Sequence, residues 1–259
     1  MTKIATWNVN SLLVRLPQVI DWLAANPVDA LCLQELKLAD EKFPFDALKA
    51  AGYHSAVFGQ KTYNGVAILS RTPPNDVLTN ITGFADEQSR VIAATLDTPQ
   101  GKLRVVNGYF VNGQAPGSEK FAYKMKWLDG LNAMLKQELA IQSRLVLLGD
   151  FNITVDDRDT YDAEGLRETI HHTTEERQHF QGLIDLGLTD AFRMFEQPDK
   201  SYSWWDYREF AFRRNRGLLI DRILVSQALK PLVTSCVIDK APRKNERPSD
   251  HTPVIVTLT

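Results

Sequence analysis

Six apolar runs in this chain break off into polar residues, and that pattern constrains the fold more than any other feature. Ile4-Ala-Thr-Trp7 runs into Asn8 and Asn10, Leu31-Cys-Leu33 into Gln34 and Glu35, and Val105-Val106 through Asn107 to Tyr109. Leu145-Val-Leu-Leu148 runs into Gly149-Asp-Phe-Asn152, Leu218-Leu-Ile220 is broken by Asp221, and Ser249-Asp-His251 immediately precedes Thr252-Pro-Val-Ile-Val256. Short apolar runs rich in Val, Ile and Leu read as strands buried inside a sheet. A rigid scaffold holds its reactive groups at such strand ends. Six ends carrying amides, carboxylates, a phenol and an imidazole therefore imply one shared polar centre.

Between these runs lie further elements. Val66–Leu69 and Val91–Leu96 read as strands, Leu103–Phe110 as the strand carrying Tyr109, and the chain closes with strands over Leu218–Val225, near Val237 and over Val254–Leu258. A helix is expected from Pro17, a favoured first-turn residue, to Ala25, and a short one over Phe45–Ala51 stopped by Gly52. The longest helix is expected over Glu119–Ala140, where Phe121, Met125, Leu128, Leu131, Leu135 and Leu139 form one apolar stripe. Thr173 and Glu176 have capping-box spacing before a helix carrying Phe180, Leu183 and Ile184, with Gly187 near its end. Many short strands with helices between them predict an α/β fold, its sheets packed face to face and covered by helices.

The 259 residues, 44% of them hydrophobic, can bury a large core without disulfides or a structural metal. No linker or short-period repeat interrupts them, so a single domain over 1–259 is expected. Cys32 and Cys236 sit in apolar runs and read as buried free thiols, which suits a reducing compartment. The first ten residues carry no apolar h-region and no stretch has membrane-spanning length, so no membrane association and a cytoplasmic location are expected. Net charge is -2, yet Arg208, Arg213, Arg214 and Arg216 cluster, as do Lys240, Arg243, Lys244 and Arg247. Such clusters are usually solvated faces, but an acidic total with basic patches also fits a phosphate-handling enzyme built around carboxylates.

Glu35, Asp150, Asp221 and Asp250 would repel one another if brought together dry and unpaired. A hard cation resolves that conflict, and an oxygen-rich donor set without cysteine favours Mg²⁺ or Mn²⁺ over zinc. A cation among carboxylates and amides equips a site for phosphoryl chemistry, where rate enhancements on the order of 10¹⁷ or more demand a whole constellation of groups.

Trp7-Asn-Val-Asn10, Leu33-Gln-Glu-Leu-Lys37, Asn107-Gly-Tyr-Phe110, Gly149-Asp-Phe-Asn152, Ser203-Trp-Trp-Asp-Tyr-Arg208, Asn215–Asp221 and Pro248-Ser-Asp-His251 span the chain nearly end to end. In these motifs and their order the sequence resembles the exonuclease III family of abasic-site endonucleases, within the endonuclease/exonuclease/phosphatase superfamily. The resemblance implies a four-layer α/β sandwich of two packed mixed sheets flanked by helices. It implies a monomeric enzyme that cuts double-stranded DNA 5′ to abasic sites, leaving a 3′-hydroxyl. 3′-Phosphodiesterase, 3′-phosphatase and 3′→5′ exonuclease activities accompany that cut in the family. The alternatives are a same-fold processor of blocked 3′ ends with little abasic activity, or a non-DNA phosphoesterase. A catalytically dead DNA-binding module is disfavoured, because none of Glu35, Asp150, Asn152, Asp221 and His251 is lost.

By the same resemblance Glu35 is the principal metal ligand, with Asn10 and Asp250 near the metal or its waters. Asp150 activates or aligns the attacking water, Asn152 holds that water or a phosphate oxygen, and Asn8 positions Asp150 or the phosphate. His251, oriented by Asp221, donates to the phosphate, and Tyr109 bonds a phosphate oxygen or assists the leaving group. Trp204, Leu218 and Ile220 wall the abasic-sugar pocket, while one of Trp204 and Trp205 is core. Arg90, Asn112, Gln114 and Lys126 are expected to contact DNA. Leu219 departs from the pattern, where relatives often carry Arg, and so does the segment Asp157–Thr174. His54, His171, His172 and His179 read as structural.

Overall fold

The computed structural model describes residues 1–259. In chain order its elements are β1 (Thr2–Asn8), α1 (Leu12–Ala25), β2 (Ala30–Gln34), α2 (Phe45–Ala50), β3 (His54–Phe58), β4 (Val66–Ser70), β5 (Asn75–Thr79), β6 (Val91–Thr98) and β7 (Gly101–Tyr109). There follow α3 (Glu119–Ile141), β8 (Leu145–Asp150), α4 (Thr174–Asp185), β9 (Thr189–Asp190), β10 (Trp204–Trp205), β11 (Gly217–Leu218), β12 (Asp221–Val225), β13 (Val233–Ile238) and β14 (Val254–Leu258). No helix is long and apolar enough to cross a membrane.

The strands build two six-stranded sheets, ordered β13-β14-β1-β2-β4-β3 and β5-β6-β7-β8-β12-β9. Both are mixed: β1 and β2 are parallel, as are β7 and β8, and the remaining pairs are antiparallel. Because side chains alternate along a strand, each sheet offers two faces. The inner faces meet in a core that includes Ile4, Cys32, Ile68, Val105, Leu148 and Ile223. Outside, α1 and α2 cover the first sheet through Leu12, Trp22, Leu23 and Leu48, and α3 and α4 cover the second through Trp127, Leu131, Leu135 and Phe180. The result is the four-layer α/β sandwich.

The same alternation places the polar strand ends. Ile4 faces inward on β1, so Asn8, four residues on, faces inward too; Val146 and Leu148 give Asp150 that parity on β8, and Ile223 and Val225 give it to Asp221 on β12. Val105 does the same for Asn107 and Tyr109 on β7. The polar centre therefore opens between the two sheets at one end. Gly149 lets β7 and β8 approach there: a Cβ on it, at φ +142°, would fall 1.9 Å from the Gly108 carbonyl oxygen.

Some sequence expectations need correction. Helix α1 begins at Leu12 instead of Pro17; Pro17 lies inside it on the exposed side, where water can serve the carbonyl it leaves without a partner. The strand expected over Leu218–Val225 splits, because Leu219 N donates to Asp159 O and Phe151 N donates to Ile220 O. Leu218 consequently pairs with Trp204 in a two-stranded ribbon, and only Asp221–Val225 joins the large sheet. The edge strands β3 and β5 carry no clean alternation and were not anticipated.

Candidate active site

Strand register brings the carboxylates together. Tyr109 lies beside Asp150 in the parallel pair β7/β8, and Asp221 lies opposite Asp150 in the antiparallel pair β8/β12. From the other sheet, the Asn8 amide nitrogen is 2.9 Å from both Glu35 Oε1 and Asp150 Oδ2, so its two protons serve both acids. Glu35 follows the end of β2 in a left-handed conformation, φ +52°, held by Ser11 N donating to its carbonyl at 2.8 Å. Asn152 is also left-handed, φ +50°, and donates its N–H to Asp150 Oδ1 at 3.0 Å. Gly149-Asp-Phe-Asn152 is thus a tight turn that also presents reactive groups.

His251 Nδ1 is 2.9 Å from Asp221 Oδ2, which also accepts from the Ser203 hydroxyl at 2.6 Å. Its other ring nitrogen, Nε2, is 3.7 Å from Asp150 Oδ2. Burial alone would favour the neutral ring, but the charges of Asp221 and Asp150 outweigh it and raise the His251 pKa to about 10. The Asp150 pKa is raised as well: burial first, then Asp221 and Glu35, bring it to about 7 against the pull of His251 and Asn8. Burial and the Glu35 and Asp150 charges keep the Tyr109 phenol protonated, hence a donor.

Glu35, Asp150 and His251 place ligand atoms within 4.8 Å of one another, a group able to hold a metal ion. Of the residues expected at the metal, Glu35 belongs to this group and Asp250 lines the same cavity. Both oxygens of Asp250 are engaged, one by Asn10 Nδ2 at 3.0 Å and the other by Trp204 Nε1 at 2.9 Å. Asn10 Oδ1 accepts from Lys37, whose ammonium also lies 3.0 Å from Glu35 Oε2. Two carboxylates and an amide-rich surround suit a hard divalent cation.

A cavity of about 170 Å³ opens over this centre, walled by Trp204, Leu218 and Ile220 and reached by Asn112 and Asn152. Trp205, by contrast, is fully buried in a small aromatic cluster. Arg90, Asn112 and Gln114 line an adjoining open groove, with Tyr63 and Lys120. Arg90 also donates to the Tyr109 carbonyl and lies 4.9 Å over its ring. Lys126 is not in the groove. It is exposed on α3, while Lys124, two residues earlier, is buried; at about 100° per residue the two point to nearly opposite faces. Leu219, which departs from the family pattern, packs in the core between the sheets.

His171 corrects the reading of the spare histidines as merely structural. It lines the 170 Å³ cavity and a neighbouring one of about 470 Å³, sharing that position with Trp204 and Leu218. Its Nδ1 donates to the Asn152 carbonyl at 2.7 Å, and Nε2 accepts from the Asn112 amide at 3.4 Å. Burial and the nearby Lys124 cation lower its pKa, so the ring is neutral. No periodicity marks it; it sits in a left-handed turn, φ +72°, within the segment that departs from the family pattern.

Converging carboxylates able to hold a cation, beside a charged histidine between two sheets, define a phosphoester hydrolase. A family model described as "Endonuclease/Exonuclease/phosphatase family" matches residues 5–251, and the chain belongs to that family. It is 37% identical over 261 aligned residues to exodeoxyribonuclease III of Haemophilus influenzae, covering 97% of this chain and 98% of that one. The structure superposes on the 3′ phosphatase NExo from Neisseria, solved with a product DNA hairpin, with TM-score 0.97 and 49% identity over 100% of both chains. It superposes on an AP endonuclease from Archaeoglobus fulgidus with TM-score 0.94 and 34% identity, over 100% of this chain and 99% of that one. The chain is a hydrolase of this nuclease type.

Proposed function

We propose that the protein is a DNA-repair phosphoesterase that, with Mg²⁺ or Mn²⁺, breaks the P–O3′ bond in double-stranded DNA at abasic sites and blocked 3′ ends, leaving a 3′-hydroxyl. Residues 1–259 act as one catalytic domain and as a monomer, in the cytoplasm, where a reducing milieu suits the two free buried thiols. The observation that carries the reading is the convergence of Glu35, Asp150 and His251 within 4.8 Å at the mouth of the two sheets.

Glu35 would hold the cation, with Asp150 adjacent. When bound, the cation screens phosphate charge and steadies the leaving oxygen. Asp150, with its acidity shifted toward 7, is suited to take the proton of the attacking water. Asn152 uses Nδ2 to bind the Phe110 carbonyl at 3.0 Å, and Oδ1, which accepts from the Asn112 amide at 3.5 Å, has a second lone pair to receive a water proton. His251 donates from Nε2 to a phosphate oxygen, its ring fixed by Asp221, and Tyr109 donates to a second oxygen. An abasic site, a 3′-phosphate and a 3′-terminal nucleotide all expose the same P–O3′ bond. They differ in what the phosphorus carries beyond it.

One observation favours trimming of 3′ ends over internal nicking. An extruded abasic sugar has to lie against Trp204, Leu218 and Ile220, and the His171 ring shares that space. A terminal phosphate needs less room. The test is a labelled duplex with one internal abasic analogue beside a duplex ending in a 3′-phosphate, each with and without Mg²⁺. Magnesium-dependent release from the 3′-phosphate, faster than nicking at the abasic site, is the expected result. Equal or faster nicking would leave the chemistry standing and overturn the preference for ends; no reaction with either would remove DNA as the substrate.

A further inference from the structure

Lys124 reaches the active site from α3, a helix of the outer layer, and is fully buried. An ammonium has three N–H donors, and here each has an acceptor. One goes to the Asn152 carbonyl at 2.8 Å, one to the Asn112 carbonyl at 3.3 Å, and one to Glu176 Oε1. Glu176 is fully buried as well, and the same oxygen accepts from His171 N at 3.1 Å. Its other oxygen accepts from the N–H and hydroxyl of Thr173, closing the capping box of α4. The Asn152 carbonyl takes a second bond, from His171 Nδ1.

Stability alone is a poor explanation for this arrangement. Desolvating two charges offsets most of what their attraction returns, and apolar residues of similar volume often serve a core equally well. The placement of the bonds is more informative. Asn112 follows β7, Asn152 follows β8, and His171 precedes α4; these three come from separate loops and all line the catalytic cavity. The ion pair bonds to the main chain of each.

We propose that Lys124, paired with Glu176, is a positioning residue that fixes Asn112, Asn152 and His171 relative to the reacting phosphate. It acts through their main chains and touches no substrate atom. The inference rests on the phosphoesterase reading and adds to it a determinant of rate and of pocket width. Lys124 and Glu176 thereby couple the outer helical layer to the geometry of the site.

The decisive variant is the double substitution Lys124→Met/Glu176→Leu, which removes both charges while keeping the volume. Either single change to an apolar residue strands a buried charge and risks the fold. The double variant should fold cooperatively with a lower Tm, since it leaves buried main-chain groups unbonded, keep KM for duplex DNA within about threefold, and lose on the order of 10–100-fold in kcat, as misplacement by about an ångström does. Its ratio of abasic nicking to 3′-phosphate release should rise, because His171 is no longer anchored through its N–H. A second variant, Lys124→Arg, keeps the charge that Glu176 needs but spreads its donors into a planar fork; it should fold and lose about tenfold in kcat. Wild-type kcat in either folded variant overturns the proposal. Both are also assayed on bis(p-nitrophenyl) phosphate, a simple phosphodiester. Loss of kcat there supports positioning even if wild-type protein leaves DNA untouched, and that second outcome counts only against the substrate reading.

Discussion

Asp221 and Arg222 are neighbours on β12, yet they face opposite sides of the sheet and serve two different clusters of buried charge. Arg222 points outward and binds Asp159 and Asp190; Arg193 adds a second cation on Asp159. Two guanidinium groups meet two carboxylates, and Asp159 also accepts main-chain N–H groups from Val155 and Asp156. That cluster is neutral and self-contained. Asp221 points inward, where Glu35, Asp150 and Asp221 face one imidazolium, with Lys37 only at the rim on Glu35. Negative charge is left over there, and Asp150 bears the strain in its raised pKa. A closed charge ledger marks a structural device; an open one marks a place prepared for a cation and a phosphate.

The comparison is broken most directly at Asp150. Asp150→Asn should lower kcat on the 3′-phosphate duplex by at least about 10³-fold, toward the upper end of general-base effects. DNA affinity, read by fluorescence anisotropy, should stay within a few-fold. The same variant has a pH signature in metal-free protein. The folded pKa of Asp150 lies above its ordinary value of 3.8, so the fold favours the protonated acid. Stability from this group is present below about pH 4 and lost as pH rises to about 7, at roughly 1.4 kcal/mol per unit. Asp150→Asn should flatten that slope in urea melts. A full-rate Asp150→Asn enzyme, or an unchanged slope, would mean that Asp150 belongs with the structural cluster.

The neutral cluster should respond in the opposite way. Arg222→Met leaves Asp190 buried without its cation and should cost about 3–5 kcal/mol of stability. The kcat of the folded fraction should change by less than about twofold. Loss of rate without loss of stability would erase the distinction between the two sides of β12.

How much of this was legible in the sequence follows from the same alternation. The inward parity of Asn8, Tyr109, Asp150 and Asp221 is written in the apolar residues that precede them, and the long stripe of α3 announced the outer layer. What no pattern announced depends on separate loops meeting in space. Asp250 lines the same cavity as Glu35 and Asp150 and accepts from Asn10 and Trp204, contacts between loops that no sequence period records. Lys124 breaks the rule that a buried helix face is apolar, so the periodicity of α3 does not mark it. His171 lies in a stretch with no period, where only tertiary contacts decide what its ring touches.

His171 stands at the edge of the open cluster without adding charge to it, and its removal sharpens the comparison by changing shape alone. His171→Gly clears a ring from the wall shared with Trp204 and Leu218 and suits the left-handed backbone, φ +72°, that a side chain adopts at some cost. It leaves Glu35, Asp150, Asp221 and His251 as they are, so 3′-phosphate release should fall by no more than a few-fold. Abasic nicking should gain, moving the ratio of the two by about tenfold, or roughly 1.4 kcal/mol. Initial rates on the two duplexes under one set of conditions give that ratio. An unmoved ratio would put the size limit at the tryptophan wall; a fall in both activities together would show that the ring acts through its bonds to Asn112 and Asn152, and not by filling space.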